Sequence, residues 1–138
     1  MMNRMLHRVS PVDLLAAVVE RVTDGTSYPC MSDPDMAESP FYSLELVESR
    51  PERSKTMYLD TYVVWVHVIA APSKTQETVL DMVQELEEAM TQPVELPDCF
   101  NLTRQVEDGM QTINKDPTGE WHAVVAYELT VSYGLMVK

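Results

Sequence analysis

The most constraining feature of the sequence is a two-residue alternation that runs from residue 120 to residue 133. One set of alternate positions is apolar throughout, and the positions between are mixed or polar. The apolar set is Trp121, Ala123, Val125, Tyr127, Leu129, Val131 and Tyr133. Because alternate side chains of a β-strand point to opposite faces of the sheet, this pattern predicts a half-buried strand. Fourteen residues at about 3.3 Å each give a length of roughly 46 Å, which is long for a small domain.

Three other segments have the character of strands. Residues 41 to 49 alternate with one polar face, whereas residues 57 to 71 are apolar on both faces, as in a central or doubly covered strand. Residues 100 to 114 alternate loosely, and Asp108-Gly109 predicts a β-bulge within them. The segment Asp116 to Gly119 has the composition of a turn.

Residues 11 to 23 are predicted to form an amphipathic helix. Ser10 supplies a side-chain oxygen that can cap free amide groups, and Pro11 suits the first helical position. Leucine and valine then recur at helical spacing in one apolar arc, which Asp24-Gly25 ends. Residues 25 to 40 contain three prolines and no periodicity, so they are predicted to form a long loop.

A second helix follows, at whose start Ser73 and Gln76 have the pattern of a capping box. Its apolar residues project onto one arc and its acids onto the opposite arc. We call that acidic arc the acidic stripe, and its members are Glu77, Asp81, Glu85 and Glu88. Like charges at i,i+4 destabilise a helix by roughly 0.2 to 0.5 kcal/mol per pair, and only Lys74 lies on that face to relieve them. The acidic stripe is therefore either a strongly solvated surface or a negative surface required for a task.

The order of these elements predicts the fold class. Helix, strand, strand, helix, strand and strand favour a two-layer α+β fold with a mainly antiparallel four-stranded sheet and two helices packed on one face. A length of 138 residues suits one domain, so residues 1–138 are predicted to form a single α+β domain. Residues 1–9 are predicted to be a flexible N-terminus.

The charge of the chain excludes one class of partner. The formal net charge is -12, with 22 Asp and Glu residues against 10 Lys and Arg residues. Most of it lies in residues 24 to 52, which sum to -6, and in residues 73 to 108, which sum to -7. Because nucleic-acid binding depends on clustered basic residues that neutralise phosphates, specific nucleic-acid binding is not expected.

No membrane-spanning segment and no signal peptide are expected from the sequence. The longest apolar runs fall short of the roughly 20 residues that cross a bilayer, and no apolar core of a signal peptide follows the N-terminal residues. These observations favour a soluble protein without a membrane partner, kept in a reducing compartment. Cys30 and Cys99 form no CxxC pair, so free thiols are the simpler interpretation than a disulfide.

No motif for catalysis, cofactor binding or metal binding is evident. His67 and His122 can face each other on neighbouring strands, but exposed or hydrogen-bonded sheet histidines are the simpler interpretation, and His7 lies near the N-terminus. No serine elbow, glycine-rich phosphate loop or complete calcium loop is found. We therefore expect no catalytic residues, no cofactor-binding residues, no metal ligands and no enzymatic activity.

The order and texture of the segments resemble the tail terminator, or tail completion, proteins of long-tailed bacteriophages, also called tail-to-head joining proteins. The resemblance covers about Ser10 to Leu135. It is carried by the segments SPVDLLAAVVERV, TYVVWVHVIAAPS, TQETVLDMVQELEEAM and GEWHAVVAYELTVSYGL. It implies a structural subunit without cofactor that forms a hexameric ring on the tail tube, stops tube polymerisation and joins the tail to the head. The implied partners are other copies of the chain, the tail tube protein and the head-neck connector protein, in a virion assembled in the host bacterial cytoplasm.

The role of the acidic residues and the alternatives to this resemblance stay open. In a ring through which DNA passes, a wall with the sign of the phosphates prevents sticking, so the acidic stripe is a candidate lumen or partner face. The alternative is an acidic protein-binding module, such as an immunity or inhibitor protein or a DNA mimic that masks a basic partner. A third option is a small-ligand or catalytic α+β domain.

Overall fold

A computed structural model describes residues 9–32, 37–53, 57–97 and 100–135, with the side chains of 53, 57, 134 and 135 excepted. The described residues form two helices and five strands. The helices are α1 (Pro11–Gly25) and α2 (Glu77–Ala89), and the strands are β1 (Cys30–Met31), β2 (Phe41–Arg53), β3 (Met57–Ala70), β4 (Asn101–Lys115) and β5 (Trp121–Leu135). The α+β class predicted from the sequence is confirmed.

The strands build one sheet in the order β1-β2-β3-β5-β4. β1 runs parallel to β2, and the other three pairs are antiparallel. The four predicted strands are present, and the sheet has a fifth because Cys30 and Met31, inside the predicted loop of residues 25 to 40, pair with Tyr42 and Ser43. Two residues are too few to show a period, so this strand exists only through its tertiary pairing.

The long strands follow the predicted alternation, with irregularities at defined places. β5 covers the alternating segment, and β4 shifts register between Glu107 and Gly109, which confirms the predicted bulge. Gly109 has a φ of 96°, a value that favours glycine. β2 extends beyond the predicted residues 41 to 49 because Arg50 to Arg53 pair with the start of β3, and a shift between Leu46 and Glu48 leaves Val47 exposed.

Both helices pack on the same face of the sheet, as predicted. α1 buries Leu14, Val18 and Val22, and α2 buries Val79, Met82 and Leu86, all at 0% exposure. These side chains share one core cluster with alternate residues of the central strands. Those strand residues are Tyr42, Leu44, Tyr62, Val64, Val66, Val68, Ala70, Ala123, Val125, Tyr127, Leu129 and Val131. Burial of each large aliphatic side chain stabilises the fold by about 1.5 to 3 kcal/mol, so the helical layer is firmly attached to the sheet.

The two helix starts differ in how well the sequence predicted them. Ser10 caps α1 as expected, because its Oγ accepts a hydrogen bond from the Val12 amide at 3.2 Å. The capping box predicted for α2 is wrong, since the helix begins at Glu77 and Gln76 makes no side-chain cap. Ser73 Oγ instead accepts from the Thr75 amide at 3.2 Å, in a local turn that precedes the helix.

Several sequence predictions fall at the margins of the described residues. Val9 is buried at 2% exposure, whereas the remainder of the predicted flexible N-terminus and Cys99 lie outside the described residues. Cys30 is a free, half-buried thiol, and burial raises its pKa to about 12. No helix in the described part of the chain has the length and apolar character needed to cross a membrane.

Candidate functional site

The acidic stripe lies on the side of α2 that faces away from the sheet. Burial of the apolar side of α2 against the strands fixes this orientation. Glu77, Asp81 and Glu88 are exposed, whereas Glu85 is half-buried and accepts a hydrogen bond from the Ser27 amide at 2.9 Å. No ion pair relieves the stripe within the described residues. Three of the four predicted residues therefore present free carboxylates, and the fourth also fastens the chain that follows α1.

The stripe is costly for the helix that carries it. Glu77 and Asp81, and Asp81 and Glu85, stand at i,i+4, where each like-charged pair costs about 0.2 to 0.5 kcal/mol. Glu88 lies in the last turn, at the negative end of the helix dipole, and no basic residue in that turn offsets its charge. Glu77 lies in the first turn, where its charge suits the helix dipole, but helix stability does not explain the acids at Asp81 and Glu88.

The α1 side of the helical layer is acidic as well. Asp13, Glu20 and Asp24 of α1 and Glu95 of the segment after α2 are exposed. An open groove of about 370 Å³ between this segment and α1 is lined by Asp13, Glu20 and Glu95 together with alanine, leucine and proline side chains. The negative surface is thus a property of the whole layer, of which the acidic stripe is the most regular part.

A carboxyl pair that the sequence did not reveal lies between α2 and β4. The Glu87 and Glu107 side chains hydrogen bond to each other, and the Tyr127 hydroxyl donates to Glu107 Oε1 at 3.4 Å. Burial first, and then the hydrogen bond and charge of Glu87, raise the pKa of Glu107 to about 7. The pairing depends on how α2 crosses the sheet, so no spacing within either segment predicts it.

The sheet face without helices has a more balanced charge. Glu128 on β5 lies 3.3 Å from Arg50 Nη2 and 3.6 Å from Arg104 Nη1, measured at Glu128 Oε1. A hydrogen bond with Asp108, followed by burial, raises the pKa of Glu128 above its usual value. Arg50 also contacts Glu48 at 3.1 Å. Arg50 and Arg104 thus offset part of the acid on this face, whereas no ion pair is found on the helical layer within the described residues.

The same face brings His67 and His122 together, as their predicted positions on neighbouring strands allow. His67 Nδ1 and His122 Nε2 are 2.9 Å apart, and His67 Nε2 is 2.8 Å from Glu45 Oε1. Burial, and then the neighbouring His67, lower the pKa of His122. The three residues border an open concavity of about 360 Å³ whose other walls include Phe41 and Ile69. The described residues contain no group of three or more His, Cys, Asp or Glu side chains arranged to hold a metal ion.

These features define a small two-layer α+β protein with a carboxylate-rich helical layer and an open, mixed sheet face. A family model, phage tail terminator 4, described as "Putative tail termination protein", matches residues 5–138 of the chain. The protein belongs to this family of phage tail termination proteins, which confirms the resemblance seen in the sequence. No curated protein matches the chain.

Proposed function

We propose that the protein caps the phage tail tube as a hexameric ring, ends tube polymerisation and offers the joining surface to the head. The observation that carries the proposal is the match to the tail termination family over residues 5–138, which leaves out only four residues of the chain. In this role the protein is a structural component of the virion, assembled in the host cytoplasm. It needs no catalytic residue and no cofactor.

The edges of the sheet supply surfaces for ring contacts. β4 is an edge strand with mostly exposed side chains, and three register shifts interrupt its pairing with β5. At the other edge β1 covers only Tyr42 and Ser43 of β2, so beyond them the side of β2 that faces away from β3 has no neighbouring strand within the described residues. Two different edges on one subunit suit a head-to-tail contact, which closes into a ring when the rotation fits.

The acidic stripe is our candidate for the wall of the channel. Exposed charges act over about 8 Å at physiological salt, so Glu77, Asp81 and Glu88 would keep DNA phosphates from adhering to a channel wall. The unrelieved cost of these acids to α2 supports a role outside folding. Glu85 contributes less to such a wall, because its carboxylate already binds the Ser27 amide.

Electron microscopy of the purified protein, alone and mixed with tail tubes of the same phage, tests the proposal. We expect tubes of uniform length closed at one end by a ring when the protein is present during tube assembly, and overlong tubes without it. Tubes that grow to the same lengths with and without the protein, and that bear no ring, would contradict it.

A paired set of variants separates the channel wall from general acidity. The first variant carries Glu77→Gln, Asp81→Asn and Glu88→Gln, and the matched control carries Asp13→Asn, Glu20→Gln and Glu95→Gln. Both remove three exposed acids from the helical layer. We expect both to cap tubes, and only the first to retain DNA inside the ring at low salt. Equal DNA retention by the two variants would refute the proposal that the acidic stripe forms the channel wall.

One specific observation also favours the acidic binding module as a second candidate. No basic side chain pairs with the carboxylates of the stripe within the described residues, as in a surface that masks a basic partner. In that case the protein would form a salt-sensitive complex with a basic protein and would leave tube length unchanged. The same tube-capping experiment therefore decides between the two functions.

A further inference from the structure

Three side chains on the open sheet face form a hydrogen-bonded line across three strands. Glu45 of β2, His67 of β3 and His122 of β5 are joined by contacts of 2.8 Å and 2.9 Å. Glu45 is paired with Trp65 and His122 with Ile69, and these two residues lie two positions to either side of His67 on β3. The line therefore consists of diagonal neighbours on one face of the sheet.

We propose that His67 and His122 form a two-nitrogen binding site for a borderline transition metal ion such as Zn²⁺, with Glu45 as the positioning residue. The site is independent of tube capping. It rests on the orientation of the two imidazoles, on their separation and on the open space beside them.

Glu45 determines which nitrogen of His67 is available. A carboxylate only accepts hydrogen bonds, so His67 carries its proton on Nε2 and directs it to Glu45. Nδ1 of the neutral ring is then unprotonated and faces His122 Nε2. A carboxylate that fixes the tautomer of a histidine in this way is the usual second partner of a metal-binding imidazole.

The two facing nitrogens are close to the separation that a shared metal ion needs. Without metal, one proton on His122 Nε2 bridges the 2.9 Å to His67 Nδ1. Bonds of about 2.1 Å at a tetrahedral angle hold two nitrogens about 3.4 Å apart. The rings must therefore separate by about half an ångström, and the single ring proton of His122 must move from Nε2 to Nδ1 through solvent, which leaves Nε2 free to bind the metal. The rings are tilted by 47° rather than stacked, and their centroids are 5.1 Å apart.

The surroundings leave the remaining coordination positions open. The concavity of about 360 Å³ beside the histidines admits water or a donor group of another molecule. Two imidazole nitrogens favour Zn²⁺, Cu²⁺ or Ni²⁺ over Mg²⁺ and Ca²⁺, which prefer oxygen ligands. Two protein ligands make a weaker site than the three or four of resident zinc centres.

Zinc titration of the full chain, followed by calorimetry and thermal unfolding, tests the site. The background carries Cys30→Ser and Cys99→Ser, so that thiols do not contribute. At a Zn²⁺ concentration of about ten times Kd we expect Tm to rise by about 4 °C, whereas Mg²⁺ leaves Tm unchanged. His67→Gln and His122→Gln keep a hydrogen-bonding side chain, and each is expected to weaken Zn²⁺ binding by at least about tenfold.

Two matched controls isolate the proposed residues. His7→Gln removes a histidine far along the sequence, and Glu48→Gln removes an acid of the same strand that binds Arg50 rather than a histidine. Both should bind Zn²⁺ as the background does, whereas Glu45→Gln should weaken binding by about 10-fold or more. Absence of a Zn²⁺-dependent rise in Tm in the background protein would overturn the proposal, as would unchanged Zn²⁺ affinity in a folded His67→Gln/His122→Gln double variant.

Discussion

The contact between the ends of α1 and α2 offers a sharp test of how the helical layer is held together. A Cβ atom added at Gly25 would lie 2.4 Å from Ala89 Cβ and 3.0 Å from Ala89 Cα. Carbon atoms in ordinary contact are about 3.5 to 4.0 Å apart, so Gly25→Ala forces the helix ends to separate by about 1 Å. The same contact adjoins the hydrogen bond from Ser27 to Glu85.

Two opposing effects set the size of the change. Overpacking of this kind costs about 1 to 3 kcal/mol, while alanine is better than glycine in a helix by up to about 1 kcal/mol. We therefore expect Gly25→Ala to lower the free energy of unfolding by about 1 to 2 kcal/mol, measured by urea denaturation. The corresponding loss in Tm is about 3 to 8 °C.

A double-mutant cycle identifies the cause. Ala89→Gly alone should also destabilise, by about 1 kcal/mol, because it places glycine in a helix. The double variant Gly25→Ala/Ala89→Gly exchanges the methyl group between the helices, so its loss should be smaller than the sum of the single losses by about 1 kcal/mol or more. Additive losses, or a stabilising Gly25→Ala, would show that the helix ends do not meet as described.

Three further predictions concern single features of the fold. Tyr42→Phe removes the buried hydrogen bond of 2.7 Å from the hydroxyl to the Met82 carbonyl, so thermal unfolding should show a loss of about 1 to 1.5 kcal/mol. The pKa of Glu107, about 7, lies above its usual 4.5, so its contribution to stability is complete below pH 4.5 and is lost as the pH rises through 7. The free energy of unfolding of Glu107→Gln, relative to that of the native chain, should therefore increase from pH 4.5 to pH 8. The increase should be no more than about 1 kcal/mol, because the Glu107 side chain is exposed. An equal difference at the two pH values would refute the repulsion between Glu107 and Glu87. Neutralising three exposed acids of the acidic stripe should stabilise α2 by about 0.5 to 1 kcal/mol at low salt, and a gain that persists in high salt would contradict the electrostatic explanation.

The sequence predicted best those elements in which one face is buried and the other is not. Residues 120 to 133 alternate because one side of β5 meets the helices, and the pattern survives without knowledge of its neighbours. The bulge near Gly109 was predictable for a similar reason, since a positive φ requires a residue type that the sequence displays. In both cases local chemistry and tertiary structure demand the same residues.

The elements that were wrong depend on contacts between distant segments. Cys30 and Met31 become a strand only because β2 passes beside them. Ser73 has a cap residue's chemistry, yet it caps the turn before α2, because a side-chain hydrogen bond to the second following amide also forms outside a helix. Sequence patterns cannot distinguish these two uses of one side chain.

The candidate site likewise has features that the sequence predicted and features that it did not. The acidic stripe could be read from the sequence, because helical spacing alone puts its members on one face of α2. The carboxyl pair of Glu87 and Glu107 could not, since it needs the angle at which α2 crosses β4. The sequence allowed His67 and His122 to face each other on neighbouring strands, whereas the diagonal register that brings Glu45 to His67 could not be predicted from it.

A reconstruction by electron cryomicroscopy of tail tubes assembled with the protein tests the central claim most directly. We expect a six-fold ring of this chain closing one end of the tube, with Glu77, Asp81 and Glu88 facing the central channel. A tube end without the chain would contradict the proposed function. A ring with those three side chains on its outer rim would contradict the role of the acidic stripe.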